Sequence, residues 1–210
     1  MDLKVEIRNY LKSKKQLVEE ALEKFMLSAS APFEKHIEAM RYSLFAGGKR
    51  IRPILCLAGA AAIDDRPEVE SDLLPAACAL ECIHTYSLIH DDLPTMDNDK
   101  LRRGKPTNHT LYGEAGALLA GDSLLTWSFD LLSQPGITSL SPEKRIAIIN
   151  VIARAAGPLG MVGGQTMDIA YENKQFPFEI LKTIHRNKTG ALITAAIQAG
   201  AIGSGASPNK

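Results

Sequence analysis

The sequence predicts an all-α fold, and three observations predict it. Apolar residues recur at helical spacing nearly throughout, alternating β-branched runs bounded by turn signals are hard to find, and proline or glycine interrupts the pattern at intervals suited to helix ends. With 210 residues, 45% of them hydrophobic, a single domain over 1–210 with a sizeable core is expected.

Taken in order, a charged amphipathic helix is predicted over 3–27 and ends before Pro32. The next, over 33–46, stops at Gly47-Gly48, and a third over 52–63 stops at Asp64-Asp65-Arg66-Pro67. A helix over 72–92 contains the Ala- and Leu-rich run Leu73 to Ile89, and its few charges argue for burial on most sides. Pro94 ends it. A second low-charge helix over 110–133 ends at Pro135-Gly136, and another is predicted over 141–156. The last runs over 177–200 after Phe176-Pro177, with no helix predicted between it and residue 156. Gly200 to Lys210 is small, polar and turn-rich, and reads as a loop or frayed tail.

The 24 basic and 24 acidic side chains cancel, so no bulk field favours nucleic acid or an anionic membrane. The N-terminus lacks the apolar stretch of a secretory signal. No run of about 18 uncharged apolar residues stands elsewhere, so no membrane-spanning segment is expected. Cys56, Cys78 and Cys82 form no CxxC pair and read as buried thiols of a reducing, cytoplasmic compartment.

The segment His84 to Asp99 passes from an apolar helix into four carboxylates, Asp91, Asp92, Asp97 and Asp99. Carboxylates crowded at a helix C-terminus repel one another and face an already negative dipole, so a cation among them relieves the arrangement. Hard oxygen ligands that leave waters in place suit Mg²⁺ bridging to substrate phosphates. Pro94 should end the helix near Asp92 and let Asp97 turn back toward Asp91. An acidic run by itself is also compatible with a solvated turn. Lys100, Arg102, Arg103 and Lys105 follow directly, and guanidinium groups beside metal-bound carboxylates are what a diphosphate requires. A second basic cluster, Gly47-Gly48-Lys49-Arg50-Ile51-Arg52-Pro53, offers exposed backbone N–H groups with fixed positive charge. It is no P-loop, for no strand precedes it and the glycine spacing is wrong.

On these segments, with Glu38 to Pro53, Glu81 to His109, Gly121-Asp122, Gly163 to Asp168 and Lys188-Thr189-Gly190, the sequence resembles the trans-prenyltransferase (polyprenyl synthetase) family over most of its length. The resemblance implies the isoprenoid synthase fold, a bundle of mostly antiparallel helices around a central apolar cavity, working as a homodimer. It implies a short-chain synthase of the bacterial farnesyl type, condensing isopentenyl diphosphate with dimethylallyl or geranyl diphosphate. A geranylgeranyl diphosphate synthase is the alternative, since the four residues between Asp92 and Asp97 occur in both. By the same resemblance Asp91 and Asp97 hold Mg²⁺ with Asp92 assisting, and Arg102 grips the allylic diphosphate. Lys49, Arg52, His84 and Arg103 hold isopentenyl diphosphate. Lys188 contacts the allylic diphosphate, Thr189 faces the carbocation, and Gln165 and Asp168 line the site or order its lysines, with helix packing an equal alternative for both. Without the family, His84 reads as a satisfied core histidine, and His90 is assigned a structural role.

Product length follows from reach. A residue five positions before Asp91 lies about 7.5 Å further down the helix. That residue is Tyr86, an aromatic floor that would stop the tail near about fifteen carbons, with Ser87 beside it in the chain-length role. The family's second aspartate-rich motif does not occur after Lys188, so the expectation is a chain truncated before that motif, lacking C-terminal helices and inactive by itself. A catalytically silent subunit and an HD-type metal phosphohydrolase, suggested by His90-Asp91, are the rival classes.

Overall fold

Up to residue 156 helices form where the apolar periodicity places them, and the computed structural model describes residues 2–206. α1 spans Leu3–Phe25, started by Asp2, whose side chain accepts the Lys4 N–H at 3.0 Å. α2 (Glu34–Leu44) and α3 (Ile51–Ala61) flank the Gly47-Gly48 loop. α4 runs Pro67–Asp91, five residues longer at its start than predicted. Pro67, read as a breaker, is the first helical residue, where its missing N–H costs nothing. α5 spans Asn108–Ser133 and α6 Pro142–Ala156, the latter capped by Ser141.

Three elements depart from the prediction. α7 (Met161–Tyr171) occupies a stretch with no predicted helix, where Gly163 and Gly164 weaken the local helical signal. The predicted helix over 177–200 is divided into α8 (Phe178–His185), a π-helical turn (Arg186–Gly190) and α9 (Ala191–Gly203). α9 therefore takes in Gly200 to Gly203 of the predicted tail, whose last residues 207–210 lie outside the described residues. A short antiparallel hairpin, β1 (Leu101–Arg102) with β2 (Lys105–Pro106), was not anticipated.

The chain forms two compact units. The first combines the residues up to Arg50 with Glu81–Gln134, that is α1, α2, the C-terminal part of α4, the hairpin and α5. Asn108 ties α5 to α2 by donating to the Ala39 carbonyl and Ser43 Oγ, each at 2.8 Å. Beside them His36 Nε2 meets Ser123 Oγ at 2.9 Å. Arg50, 3% exposed, donates to Glu81 Oε1 at 2.7 Å and the Leu44 carbonyl at 2.8 Å, so a buried charge finds both a counter-charge and an acceptor.

The second unit holds Ile51–Leu80 and the chain from Pro135. Here α3 and α9 approach backbone to backbone. A Cβ at Gly200 would stand 1.9 Å from the Cys56 carbonyl oxygen, and one at Gly59 would stand 2.6 Å from that of Ile197. Asp72 on α4 accepts the Ser139 N–H at 2.8 Å and the hydroxyls of Thr138 and Ser139, fixing the loop before α6. Burial pushes the Cys56 thiol up to about 12, and none of the three cysteines is in a disulfide.

One stretch, Pro142–Tyr171, is long and apolar enough to cross a membrane by length and composition. No such run was expected. The turn over 157–160 divides it into α6 and α7, and such a break would strand backbone groups in lipid.

Gly200→Ala should lower the unfolding free energy by about 1–3 kcal/mol, the scale of overpacking in a core, read as an earlier midpoint in urea.

Candidate active site

α4 stops where the sequence predicts, because Pro94 has no N–H to continue the ladder. The turn beyond it closes on itself. Met96 N and Asn98 N donate to the Leu93 carbonyl at 2.9 and 3.1 Å, and Asp97 N donates to the Asp91 carbonyl at 2.8 Å. Asp97 is thereby returned beside Asp91, with Asp91 half-buried and Asp97 exposed. Among the described residues no three His, Cys, Asp or Glu side chains converge into a complete cation cage. Two carboxylates carried at one helix end, with room for further ligands, suit a hard divalent cation.

The arginines are delivered by the hairpin. Its turn residues Arg103 and Gly104 both have positive φ, 54° and 76°, the geometry of a tight turn matched to strand twist. Arg102, paired with Lys105 in the ladder, donates from Nε to both oxygens of Asp92 at 2.9 and 2.8 Å, and from Nη2 to Oδ1 at 2.6 Å. These bonds raise the guanidinium's affinity for its proton against the opposing effect of burial, and the charges of Asp92, Asp99 and Asp91 add to the rise.

Arg103 leaves the turn in another direction. Its guanidinium lies against the Gly47-Gly48 loop, where a Cβ on Gly48 would come 2.7 Å from Nη1. Gly48 also has φ +144°, so a side chain there would be both strained and obstructive. Desolvation lowers the Arg103 pKa; Glu81 acts in the opposite direction, and the charges of Arg50 and Arg102 add to the fall. Arg50 and Arg102 each hold a carboxylate of their own, so an anion beside Arg103 would relieve chiefly that guanidinium.

The first unit brings Asp91, Asp92, Asp97, Arg102, Arg103 and the Gly47-Gly48 loop into one region. Lys49 is exposed at that loop, and His84 is half-buried on α4. Arg50, read with Lys49 as part of the cradle, is instead committed to Glu81. Tyr86 is 7% exposed and edge-on to His90, with ring centroids 5.6 Å apart. Burial, and then the charge of Asp91, raises its phenol pKa. Ser87 Oγ donates to the His84 carbonyl at 2.9 Å. His90 fits the structural role expected of it, since its Nε2 lies 3.0 Å from the Leu118 carbonyl over the side-chain-free Gly121.

In the second unit Arg52 sits in the first turn of α3, half-buried. Lys188 and Thr189 lie in the π-helical turn, and Lys188 Nζ donates to Asp168 Oδ2 at 2.6 Å. Gly164 makes room for that turn, since a Cβ there would stand 2.2 Å from Lys188 N. Gln165 Oε1 is enclosed with no hydrogen-bond partner among the described residues. Sequence reasoning missed Glu81 as the partner of Arg50. The signal was available, since a carboxylate inside the apolar run Leu73 to Ile89 calls for a buried cation.

Residues 34–210 match the family model described as Polyprenyl synthetase. The chain belongs to that family. Among its family relatives, the farnesyl diphosphate synthase of Geobacillus stearothermophilus is 50% identical over 200 residues, covering 95% of this chain and 66% of the relative. The chloroplastic heterodimeric geranylgeranyl pyrophosphate synthase large subunit 1 of Arabidopsis thaliana is 46% identical over 206 residues, covering 96% and 54%. The chain therefore spans less than two thirds of the length of either. An apo crystal structure of an FPP/GFPP synthase from Zymomonas mobilis superposes with a TM-score of 0.89 at 39% identity, covering 98% of this chain and 73% of that one. The expected all-α isoprenoid synthase fold is thus borne out.

Gly48→Ala should displace Arg103 and weaken the binding of inorganic diphosphate roughly tenfold, as expected for losing one charge-assisted contact, measured by titration calorimetry.

Proposed function

We propose that the whole protein is a short-chain trans-prenyl diphosphate synthase, which condenses isopentenyl diphosphate with dimethylallyl or geranyl diphosphate and releases farnesyl diphosphate. The observation that carries this reading is the divergence of two consecutive arginines from one tight turn. Arg102 goes to the aspartates and Arg103 to the glycine loop, so two anionic groups can be held side by side.

In this reading Arg102 and Lys188 hold the allylic diphosphate, while Lys49, Arg52, His84 and Arg103 hold isopentenyl diphosphate, with Gln165 lining the site and Asp168 ordering Lys188. Asp91 and Asp97 would hold Mg²⁺, which supplies electrophilic neutralisation of the diphosphate when bound. As the allylic C–O bond ionises, negative charge grows on the leaving diphosphate, and Arg102 and Lys188 meet that charge where it develops. Thr189 turns its hydroxyl dipole toward the carbocation. The isopentenyl double bond attacks that cation, and the proton then lost passes to the departing diphosphate. No side-chain base is assigned, in keeping with a site that is rich in cations.

Tyr86 supports the shorter product, because a buried aromatic ring about one and a half turns below Asp91 would close the space a longer tail has to enter. The geranylgeranyl alternative is favoured by the Arabidopsis relative. A homodimer in the cytoplasm is part of the same reading. A phosphohydrolase of the HD type is disfavoured, because its His and Asp side chains must converge on metal and His90 is committed to the Leu118 carbonyl.

Incubation of the whole protein with geranyl diphosphate, isopentenyl diphosphate and Mg²⁺ should yield farnesol after dephosphorylation, sized by chromatography. An absence of any condensation product would refute the reading. Tyr86→Ala should shift the product toward twenty or more carbons, and an unchanged fifteen-carbon product would remove the floor.

A further inference from the structure

Asp92 stands second in the row of four carboxylates, and its surroundings differ from those of Asp91 and Asp97. Its side chain is 4% exposed, whereas Asp97 and Asp99 open to solvent. Both of its oxygens are engaged by Arg102, through bonds of 2.9, 2.8 and 2.6 Å. A guanidinium presents donors along more than one edge. Asp92 takes the Nε and Nη2 edge, which leaves Nη1 uncommitted by that pairing and available to a phosphate.

Arg102 leaves a strand of two residues, too short to fix a long side chain by itself. Without a clamp, the side chain would have to be ordered when the ligand binds, and that ordering would be subtracted from affinity. For Asp92 to reach a metal it would have to leave its buried place and abandon three charge-assisted bonds.

We propose that Asp92 is a positioning residue that locks Arg102 with one edge turned toward the allylic diphosphate, and that it is not a metal ligand. The identity of the diphosphate rests on the function proposed above, whereas the clamp itself does not.

The test is a double-mutant cycle in the whole protein, with geranyl diphosphate binding read by calorimetry in Mg²⁺ buffer. Asp92→Asn should weaken binding by about tenfold to a hundredfold, as expected for hydrogen bonds to a charged group. Asp92→Glu, which keeps the carboxylate, should recover part of the loss. In an Arg102→Gln background the same Asp92→Asn change should alter affinity by less than about twofold, since its target is gone. The Mg²⁺ concentration giving half-maximal binding should not move. A further loss in the Arg102→Gln background, or a raised Mg²⁺ midpoint, would make Asp92 a ligand and overturn the proposal. The Arg102 Nε–H resonance gives a readout independent of the ligand. It should be distinct in the parent and in Asp92→Glu and collapse toward free arginine in Asp92→Asn; its persistence there would equally overturn the clamp. Should the parent protein fail to bind geranyl diphosphate, the proposed function falls while this resonance still decides the clamp.

Discussion

The contact between Asp92 and Arg102 is the constraint on which the candidate site depends, because it joins two segments that have little else to fix them. The turn after α4 is short and exposed, and the hairpin has two residues per strand. Neither would hold a charged side chain in one direction by main-chain bonds alone. A buried carboxylate gripping a guanidinium from below converts both into one rigid platform, and the charge density around it then becomes usable. The same logic recurs at Arg50 and Glu81, where a buried pair supports the glycine loop from beneath.

Glycine does a second kind of structural work. At Gly48 the missing side chain admits a guanidinium, at Gly164 it admits the main chain of the π-helical turn, and at Gly200 it admits the main chain of α3. In each case the element that approaches carries a residue of the candidate site or a core contact. These glycines are thus spaces left open for neighbours, and a reading of glycine as punctuation alone misses them.

That difference explains how much of the fold and site could be read in advance. The periodicity of apolar residues located α1 to α6, and proline at 94 located the end of α4, because both signals are local. α7 escaped in part because Gly164 makes room for a partner distant in sequence, Lys188, and no local pattern encodes that partner. The hairpin escaped because two-residue strands have no periodicity to detect. Among the site residues, the clustering of acids at 91, 92 and 97 with bases at 102 and 103 was legible, and the structure brings these charges together. Which acid pairs with which base was not, and Asp92 was grouped with its neighbours by sequence position although its burial sets it apart. Arg50 was misread for the same reason. A cation in a basic run looks available until the carboxylate facing it, here thirty-one residues later, is known.

The π-helical turn between α8 and α9 widens by one residue without lengthening the rod in proportion. An extra residue in a helix amounts to about 100° of rotation, so everything after it is dialled to a new compass bearing relative to what precedes. α8 and α9 can each direct their own greasy stripe inward although a single uninterrupted spiral could not serve both. Deleting any one residue from Arg186 to Gly190 would restore an ordinary spiral and swing the whole of α9 out of phase. The length of that segment is accordingly as tightly specified as its composition.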